Sequence, residues 1–271
     1  MDNRPIGIFD SGIGGLTVVN SIINLLPGET IYYVGDTARV PYGNKSRFRI
    51  QQYSEEIVRW LIDKDCKMII VACNTASSLA IDYLKDNFSL PILGVINPGV
   101  HYAVKATNNH SIGVLGTYST IRSDAYGKKL RLINPRMKII SRSCPLFVPL
   151  VEEGWVEGEV PLSIARFYLQ DFLNTDIDTV ILGCTHYPIL TSIIKKILGD
   201  KIELVDSGKS AAESVLKKLK NYDLASTKIE GDLFCFVTDS SDVFTKLASK
   251  FLKKKLTEIK SIDISRDEKS A

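Results

Sequence analysis

Two stretches of this sequence share one pattern, a short apolar run that ends in a cysteine followed by small polar residues. Residues 68–77 read MIIVACNTAS, and residues 179–188 read TVILGCTHYP. Such a run of largely β-branched residues is typical of a strand buried on both faces, and the polar residues after it can begin a helix. The pattern predicts that Cys73 and Cys184 each lie at the carboxyl end of a parallel strand, followed by helix-capping threonines, Thr75 and Thr185.

The first part of the chain alternates between strand-like and helix-like segments. Strands are predicted at 5–9, 30–34, from 68 onward, and at 90–96, where the sequence reaches Asn-Pro-Gly at 97–99. Helices are predicted at 16–26, from a capping Ser46 to residue 64, and after Asn74, whereas 35–44 is too rich in turn residues to be helical. Parallel strands joined by helices indicate an α/β fold.

From residue 111 onward the same order begins again. IGVLGT at Ile112 resembles IGIFDS at Ile6, and IISRSCPLFVPLVEEG at Ile139 echoes IYYVGDTARVPYG at Ile31, each a predicted strand followed by a loop with Val-Pro. The repetition indicates an internal duplication. We therefore predict two similar parallel-sheet α/β domains related by pseudo-two-fold symmetry, with the site in the cleft between their carboxyl edges.

The C-terminal part is predicted to return to the first domain. It has a helix pattern at 209–220, a strand pattern at 233–237 and a helix pattern at 241–253. The predicted domains are therefore 1–97 plus 208–271, and 98–207. The stretch from residue 256 loses its apolar density, and we expect it to become disordered towards its end.

Composition excludes several classes of function. The 271 residues carry a net charge of only +3, with basic residues scattered, so no nucleic-acid partner is expected. No stretch approaches the roughly 18 apolar residues of a membrane span, and the N-terminal apolar run is too short for a signal peptide. We expect a cytoplasmic protein without a membrane partner.

The cysteines do not form a metal or disulfide pattern. Five cysteines without any CxxC pair indicate free thiols and no metal. Cys66, Cys144 and Cys235 lie outside the strand-end pattern and are interpreted as structural. A buried cysteine is often only a small apolar side chain. The matched setting of Cys73 and Cys184 is what favours a shared functional site.

Two thiols on opposite faces of a small ligand suit racemisation, in which one base removes a proton from carbon and the other group returns one on the opposite face. A thiol pKa near 8.5 can fall at a helix N-terminus or beside a suitable partner. His186, two residues after Cys184, is the predicted partner of that thiol, and Asp10 is the predicted proton partner of Cys73.

Polar side chains at the same strand ends suit a ligand with carboxylate and ammonium groups. Capping and turn formation are the alternative role for each of them, and their clustering on one edge is what favours binding. The glycine-rich turn DSGIGG at 10–15 lacks the nucleotide-binding patterns and is expected to let the backbone approach a small anion. The candidate binding residues from this argument are Ser11, Asn74, Thr75, Thr117, Thr120 and Thr185.

With these residues in place, the sequence resembles the glutamate racemases, cofactor-independent members of the aspartate/glutamate racemase superfamily. The resemblance rests on IGIFDSGIGGLTV, YVGDTARVPYG, VACNTAS, GVINPG and ILGCTHYP, in that order. It implies acid/base thiols at Cys73 and Cys184, interconversion of L- and D-glutamate without a cofactor, and D-glutamate for peptidoglycan. The implied substrate contacts are Asp10, Ser11, Tyr42, Gly43, Asn74, Thr75, Thr185 and His186.

Supporting residues and assembly complete the prediction. Glu152 and Asp36 are predicted to support the site, and we expect a homodimer. The superfamily resemblance also implies that His186, where aspartate racemases tend to carry an acidic residue, favours glutamate over aspartate.

Three other functions stay open at this point. The first is a racemase for aspartate or another amino acid. The second is a cysteine hydrolase or transferase with Cys184 as nucleophile and His186 as base, which leaves Cys73 unexplained. The third is a non-catalytic protein that binds small carboxylates in its cleft. Pyridoxal phosphate chemistry needs a lysine, and neither cysteine motif has one.

Overall fold

The computed structural model describes residues 1–252 and 256–264, and these form two parallel β-sheets covered by helices. The predicted fold class is confirmed. The strands are β1 (Ile6–Asp10), β2 (Ile31–Gly35), β3 (Met68–Val71), β4 (Ile92–Gly94), β5 (Ser111–Gly116), β6 (Lys138–Ser143), β7 (Thr179–Gly183), β8 (Glu203–Asp206), β9 (Leu233–Val237) and β10 (Glu258–Ser261).

The helices lie between these strands and cover both sheets. They are α1 (Leu16–Leu25), α2 (Arg47–Asp63), α3 (Asn74–Leu79), α4 (Ile81–Asn87), α5 (Ile96–Ala106), α6 (Tyr118–Ser123), α7 (Ala125–Ile133), α8 (Phe147–Glu152), α9 (Glu159–Leu173), α10 (Thr191–Leu198), α11 (Ser207–Asn221) and α12 (Ser241–Phe251). As predicted, Ser46 caps α2, and its hydroxyl accepts a hydrogen bond from the Arg49 N–H. Among the described residues, each helix is too short or too polar to cross a bilayer.

The two sheets repeat one strand order. The first sheet runs β10-β9-β2-β1-β3-β4 and the second runs β6-β5-β7-β8, with parallel neighbours throughout. The block β2-β1-β3-β4 therefore corresponds to β6-β5-β7-β8, as an internal duplication requires. Strands β9 and β10 extend the first sheet beyond β2, while the domain bounds at 97 and 208 stay a prediction.

Burial explains which strands the sequence revealed. All residues of β1, β3 and β7 are buried, because helices cover both faces of these central strands. The edge strand β10, read EIKS, is mostly exposed. It has no apolar run, so the sequence did not predict it.

Two proline-containing segments, one predicted to end a strand and one predicted to be a loop, are helical. The predicted strand at 90–96 is reduced to β4, and Asn97, Pro98 and Gly99 lie in the first turns of α5. Val148 and Pro149 lie in the first turn of α8, whereas Val40 and Pro41 lie in a loop and are joined by a cis peptide bond. Proline is compatible with a first helical turn, where the backbone N–H has no partner in the helix. The Val-Pro echo therefore does not mark equivalent loops.

Other differences concern segment ends. The predicted loop at 35–44 contains no α-helix but has two short 3-10 turns, Thr37–Arg39 and Tyr42–Asn44. Helix α12 is described to Phe251. The predicted end of that helix at residue 253 and the expected disorder at 265–271 lie outside the described residues.

Candidate active site

The carboxyl ends of the two sheets face each other and make direct polar contacts. Asp10, the last residue of β1, accepts a hydrogen bond from the Thr185 hydroxyl after β7, at 3.1 Å. The hydroxyls of Thr75, after β3, and Thr117, after β5, lie 2.9 Å apart. The strand-end residues predicted to share one site are therefore brought together across the cleft.

Both candidate thiols lie inside this cleft and are almost inaccessible. Cys73 is 5% exposed and Cys184 is 6% exposed, and Asp10 and His186 beside them are 0% and 4% exposed. Cys66, Cys144 and Cys235 are buried free thiols as well, so burial alone does not distinguish the pair. The polar neighbours of Cys73 and Cys184 distinguish this pair from the other three cysteines.

Cys73 itself is the N-cap of α3. Its sulfur accepts a hydrogen bond from the Ala76 N–H at 3.5 Å, and its thiol donates to the Ser11 hydroxyl at 3.9 Å. The prediction that Thr75 caps this helix is wrong. A sulfur at the N-cap position accepts the bond that a threonine hydroxyl was expected to accept, which leaves the Thr75 hydroxyl directed at the other half of the protein.

Burial dominates the electrostatics of Cys73. It raises the pKa of the thiol to about 12, with a further increase from the nearby Asp10 carboxylate, and the Ala76 N–H opposes this only in part. The sequence suggested that the helix N-terminus would lower this pKa, which is wrong for Cys73, because desolvation of a thiolate costs more than one long hydrogen bond gains. At neutral pH Cys73 is a thiol, ready to act as an acid.

Asp10 is the most enclosed polar group of the site. Its carboxylate accepts hydrogen bonds from the Ser11 hydroxyl at 2.9 Å and the Gly12 N–H at 3.2 Å, besides the bond from Thr185. Burial raises the pKa of Asp10, while the charge of His186 and these hydrogen bonds counteract the rise. A carboxyl group with a raised pKa next to a thiol is suited to exchange a proton with it.

Cys184 has a cationic neighbour instead. The Nδ1 atom of His186 lies 3.9 Å from the sulfur, and Nε2 lies 3.0 Å from Oε1 of Glu152. Burial by itself lowers the pKa of His186, but the hydrogen bonds to Cys184 and Glu152 outweigh it and raise the pKa to about 10. His186 is therefore an imidazolium at neutral pH.

The segment after Cys184 differs from the prediction. It continues into a 3-10 turn, Tyr187–Leu190, rather than an α-helix, and Thr185 caps no helix. The Thr185 hydroxyl points to Asp10, and this contact is one that a pattern of helix caps does not reveal. The imidazole of His186 also meets the ring of Phe251 edge-on at 5.9 Å, so α12 covers this side of the site.

Three hydroxyls from the two halves form a cluster where the halves meet. Thr117 lies 3.0 Å from Thr120, and Thr75 lies within 3.4 Å of both. Gly43 lies next to this cluster, since a Cβ there would be 3.1 Å from Cβ of Thr117. The hydroxyls and the nearby N–H of Thr120, which donates to Thr117 at 3.3 Å, are suited to bind a carboxylate.

Asp36 directly follows β2, and its N–H donates to the Asp10 carbonyl at 3.0 Å. It is buried and accepts hydrogen bonds from the Tyr42 hydroxyl, from Arg39 Nε at 2.7 Å and from the Thr238 hydroxyl at 2.9 Å. Asp36 therefore holds the side chains of Arg39 and Tyr42 in place. Tyr42 is itself buried, with its hydroxyl bonded to Asp36.

Sequence reasoning missed several residues at the junction of the two halves. A Cβ at Gly14 would lie 2.4 Å from both His186 Nδ1 and Thr185 Oγ1, so only glycine permits this approach. The glycine-rich turn thus meets side chains of the other half, not only a small anion as expected, and the Thr17 hydroxyl also lies 2.9 Å from the Thr185 carbonyl. The DSGIGG pattern was the available signal for Gly14.

Asn74, a predicted binding residue, contacts two further residues that the sequence did not suggest. Its Oδ1 accepts from the Tyr126 hydroxyl at 2.6 Å, and its Nδ2 donates to Ser207 at 3.5 Å. Tyr126 lies in α7 and Ser207 begins α11, and neither has a sequence pattern that marks it. These contacts join the first half to the second beside the thiols.

The arrangement provides two thiols with opposite proton partners. Cys73 is protonated and lies beside a carboxyl group, whereas Cys184 lies beside an imidazolium. In the described residues, no group of three His, Cys, Asp or Glu side chains could hold a metal ion. Thiols with such partners are suited to proton transfer.

Comparisons with known proteins point to one family. The model of the Asp/Glu/Hydantoin racemase family matches residues 6–215. A glutamate racemase from Geobacter metallireducens is 44% identical over 265 residues, which cover 97% of this chain and 98% of that protein. The crystal structure of the glutamate racemase isoform RacE1 from Bacillus anthracis has a TM-score of 0.95 and 35% identity, covering 98% of this chain and all of that one.

A second solved structure carries a ligand. The glutamate racemase from Francisella tularensis, in complex with D-glutamate, has a TM-score of 0.91 and 38% identity and covers 97% of this chain and 99% of that one.

We expect Glu152→Gln to lower the pKa of His186 from about 10. A hydrogen bond to a charged group contributes about 1.5–3 kcal/mol, and solvent at the 40% exposed Glu152 side chain keeps the effect near the lower end, so the fall is about one pH unit. The measurement is a histidine titration by NMR, which is simple because the chain has only three histidines. The matched control is Glu153→Gln at the exposed neighbouring position. An unchanged titration in the Glu152 variant would contradict the assigned contact.

Proposed function

Because this chain belongs to the Asp/Glu/Hydantoin racemase family, we propose that it interconverts L- and D-glutamate with Cys73 and Cys184 as its two proton-transferring groups. Glutamate is proposed as the substrate because the relatives that align with this chain over nearly their whole length are glutamate racemases. The mechanism is supported by one observation above all, the presence of two thiols with opposite proton partners in one buried cleft.

In the L-to-D direction Cys184, beside the imidazolium of His186, acts as the base. Its thiolate form removes the α-proton of L-glutamate. The Cys73 thiol then donates its proton to the opposite face of the carbanion. The proton is on Cys184 at the end of the turnover, and Cys73 is a thiolate.

The reverse direction needs the opposite protonation. Cys73 must lose its proton to become the base for D-glutamate, and Asp10 is the group that accepts it through the shared Ser11 contact. Burial raises the pKa of Asp10, which brings it closer to the pKa of a thiol and makes this transfer less costly. His186 keeps Cys184 supplied with a proton in this direction.

The remaining polar groups hold the substrate. One carboxylate of glutamate lies at the hydroxyl cluster of Thr75, Thr117 and Thr120, and the backbone around Gly43 closes over it. Ser11 and Asn74 lie at the same edge and complete the set. We further propose that the enzyme is a cytoplasmic homodimer and that its D-glutamate serves peptidoglycan synthesis.

The direct test of the substrate is circular dichroism of amino acids incubated with the purified protein. L-Glutamate is expected to lose its signal without added cofactor, and L-aspartate is expected to keep its signal. Loss of the aspartate signal alone would show that aspartate, not glutamate, is the substrate. No change with either amino acid would favour a non-catalytic binding protein.

The roles of the thiols are tested with a glutamate analogue that carries a leaving group on its β-carbon. After proton removal the carbanion eliminates this group, so only the base is needed. Cys184→Ser is expected to process the D-analogue through Cys73, and Cys73→Ser the L-analogue through Cys184, while both lose racemisation by at least about 100-fold, the low end for a positioned acid or base.

The matched control is Cys144→Ser. Cys144 is buried, and its thiol donates to the Arg142 carbonyl at 3.7 Å, which a serine hydroxyl can also do, so this variant should keep racemisation. If both site variants remained active on the same enantiomer of the analogue, each thiol would not serve its own face of the substrate, and the two-base mechanism would be wrong.

A further inference from the structure

We propose that Ser119 is a positioning residue that stabilises the closed cleft while the substrate is bound. Its hydroxyl donates to the Gly43 carbonyl at 2.7 Å, and it lies 3.5 Å from the Lys45 carbonyl. Ser119 is in α6 of the second half, and Gly43 belongs to the first half. The inference rests on the proposed function, because it concerns how that enzyme closes over glutamate.

The site must open to admit a substrate. Both thiols and Asp10 are at most 6% exposed, so a molecule the size of glutamate cannot reach them in this closed arrangement. The two halves must therefore separate on at least one side. The contacts on that side break in every turnover, and their strength sets how firmly the closed state is held.

The topology indicates which side opens. The chain passes from the first half to the second between β4 and α5, and returns between β8 and α11. Strands β4 and β8 are edge strands of their sheets. Both covalent connections therefore lie along these edges, and the halves cannot separate far there.

Gly43 and Ser119 follow strands on the other side. Gly43 comes after β2, three strand spacings from β4, and Ser119 follows β5, two spacings from β8. At about 4.8 Å per strand these are distances of about 14 and 10 Å. We call this side, defined by Gly43 and Ser119, the mouth of the cleft. A small rotation about the connected edges therefore moves the mouth more than the two thiols, which follow the strands next to those edges, β3 and β7.

The Gly43 segment is held firmly from below, so the contact at the mouth can control the closed state. Arg39 donates to Asp36 and to Glu56 of α2, and its guanidinium stacks over the Tyr53 ring at 4.2 Å. On the other side, the Thr238 hydroxyl donates to Asp36 and accepts from the Ala38 N–H at 3.0 Å. The loop is thus fixed to the first half, and Ser119 joins it to the second.

Ser119 lies next to the proposed binding residues but contacts neither thiol. Its neighbours Thr117 and Thr120 are the hydroxyls proposed to bind a carboxylate. The Ser119 bond to Gly43 brings these hydroxyls and the Gly43 backbone to the substrate together. Loss of that bond weakens the closed complex and leaves proton transfer unchanged.

The test is Ser119→Ala with steady-state kinetics on both enantiomers of glutamate. One neutral hydrogen bond changes the stability of the closed complex by an amount that corresponds to a KM rise of about 2- to 10-fold. We expect this rise for both enantiomers, with kcat within about twofold of the wild type and an unchanged melting temperature. Ser119→Thr keeps the hydroxyl and is expected to have the KM of the wild type.

The matched control is Ser123→Ala in the same helix, where the hydroxyl donates to the Thr120 carbonyl at 2.7 Å and accepts from the Ala125 N–H at 3.2 Å, both within the second half. It should behave as the wild type. The inference is overturned if Ser119→Ala leaves KM unchanged, if it lowers kcat at constant KM, or if both alanine variants lose activity in parallel with stability. A wild type inactive on glutamate would refute the proposed function itself, whereas an active wild type with an unaffected Ser119→Ala would refute only the role of Ser119.

Discussion

The site depends on one constraint, that polar groups buried between two sheets must all find partners. Asp10 is fully buried at the end of β1, and its own turn supplies only two of its hydrogen bonds. The third comes from Thr185 on the opposite sheet. A buried carboxylate without enough donors is costly, so this contact fixes how the two carboxyl edges meet. Gly14 permits the approach, since any side chain there would clash with Thr185 and His186.

Once the edges meet, the two cysteines have different proton partners. Cys73 and Cys184 follow equivalent strands of a duplicated fold, yet the Asp10 carboxyl group lies near the first and the His186 imidazolium beside the second. The difference comes from the loops. The first repeat contributes Asp10, and the second contributes His186 with Glu152 behind it. An approximate symmetry of the backbone thus gives two unlike thiols, as the proposed pairing of one acid with one base requires.

Much of this could be predicted because it is encoded locally. The apolar runs ending at Cys73 and Cys184 belong to strands buried on both faces, and that burial leaves a clear pattern in the sequence. The partners of Thr75 and Thr185 could not be predicted, because each hydroxyl bonds a residue on the opposite sheet rather than its own helix. The same limit hid Tyr126, whose contact to Asn74 exists only after the halves meet.

The account is tested most directly by racemisation of L-glutamate in D₂O, followed from the first turnovers by NMR of the α-proton. If Cys184 removes the proton and Cys73 delivers another from the opposite face, the D-glutamate formed carries deuterium, because a thiol exchanges with solvent. The remaining L-glutamate keeps its original proton at early times. Deuterium appearing in recovered L-glutamate as fast as in D-glutamate, or D-glutamate that keeps the original proton, would contradict two separate proton-transferring groups.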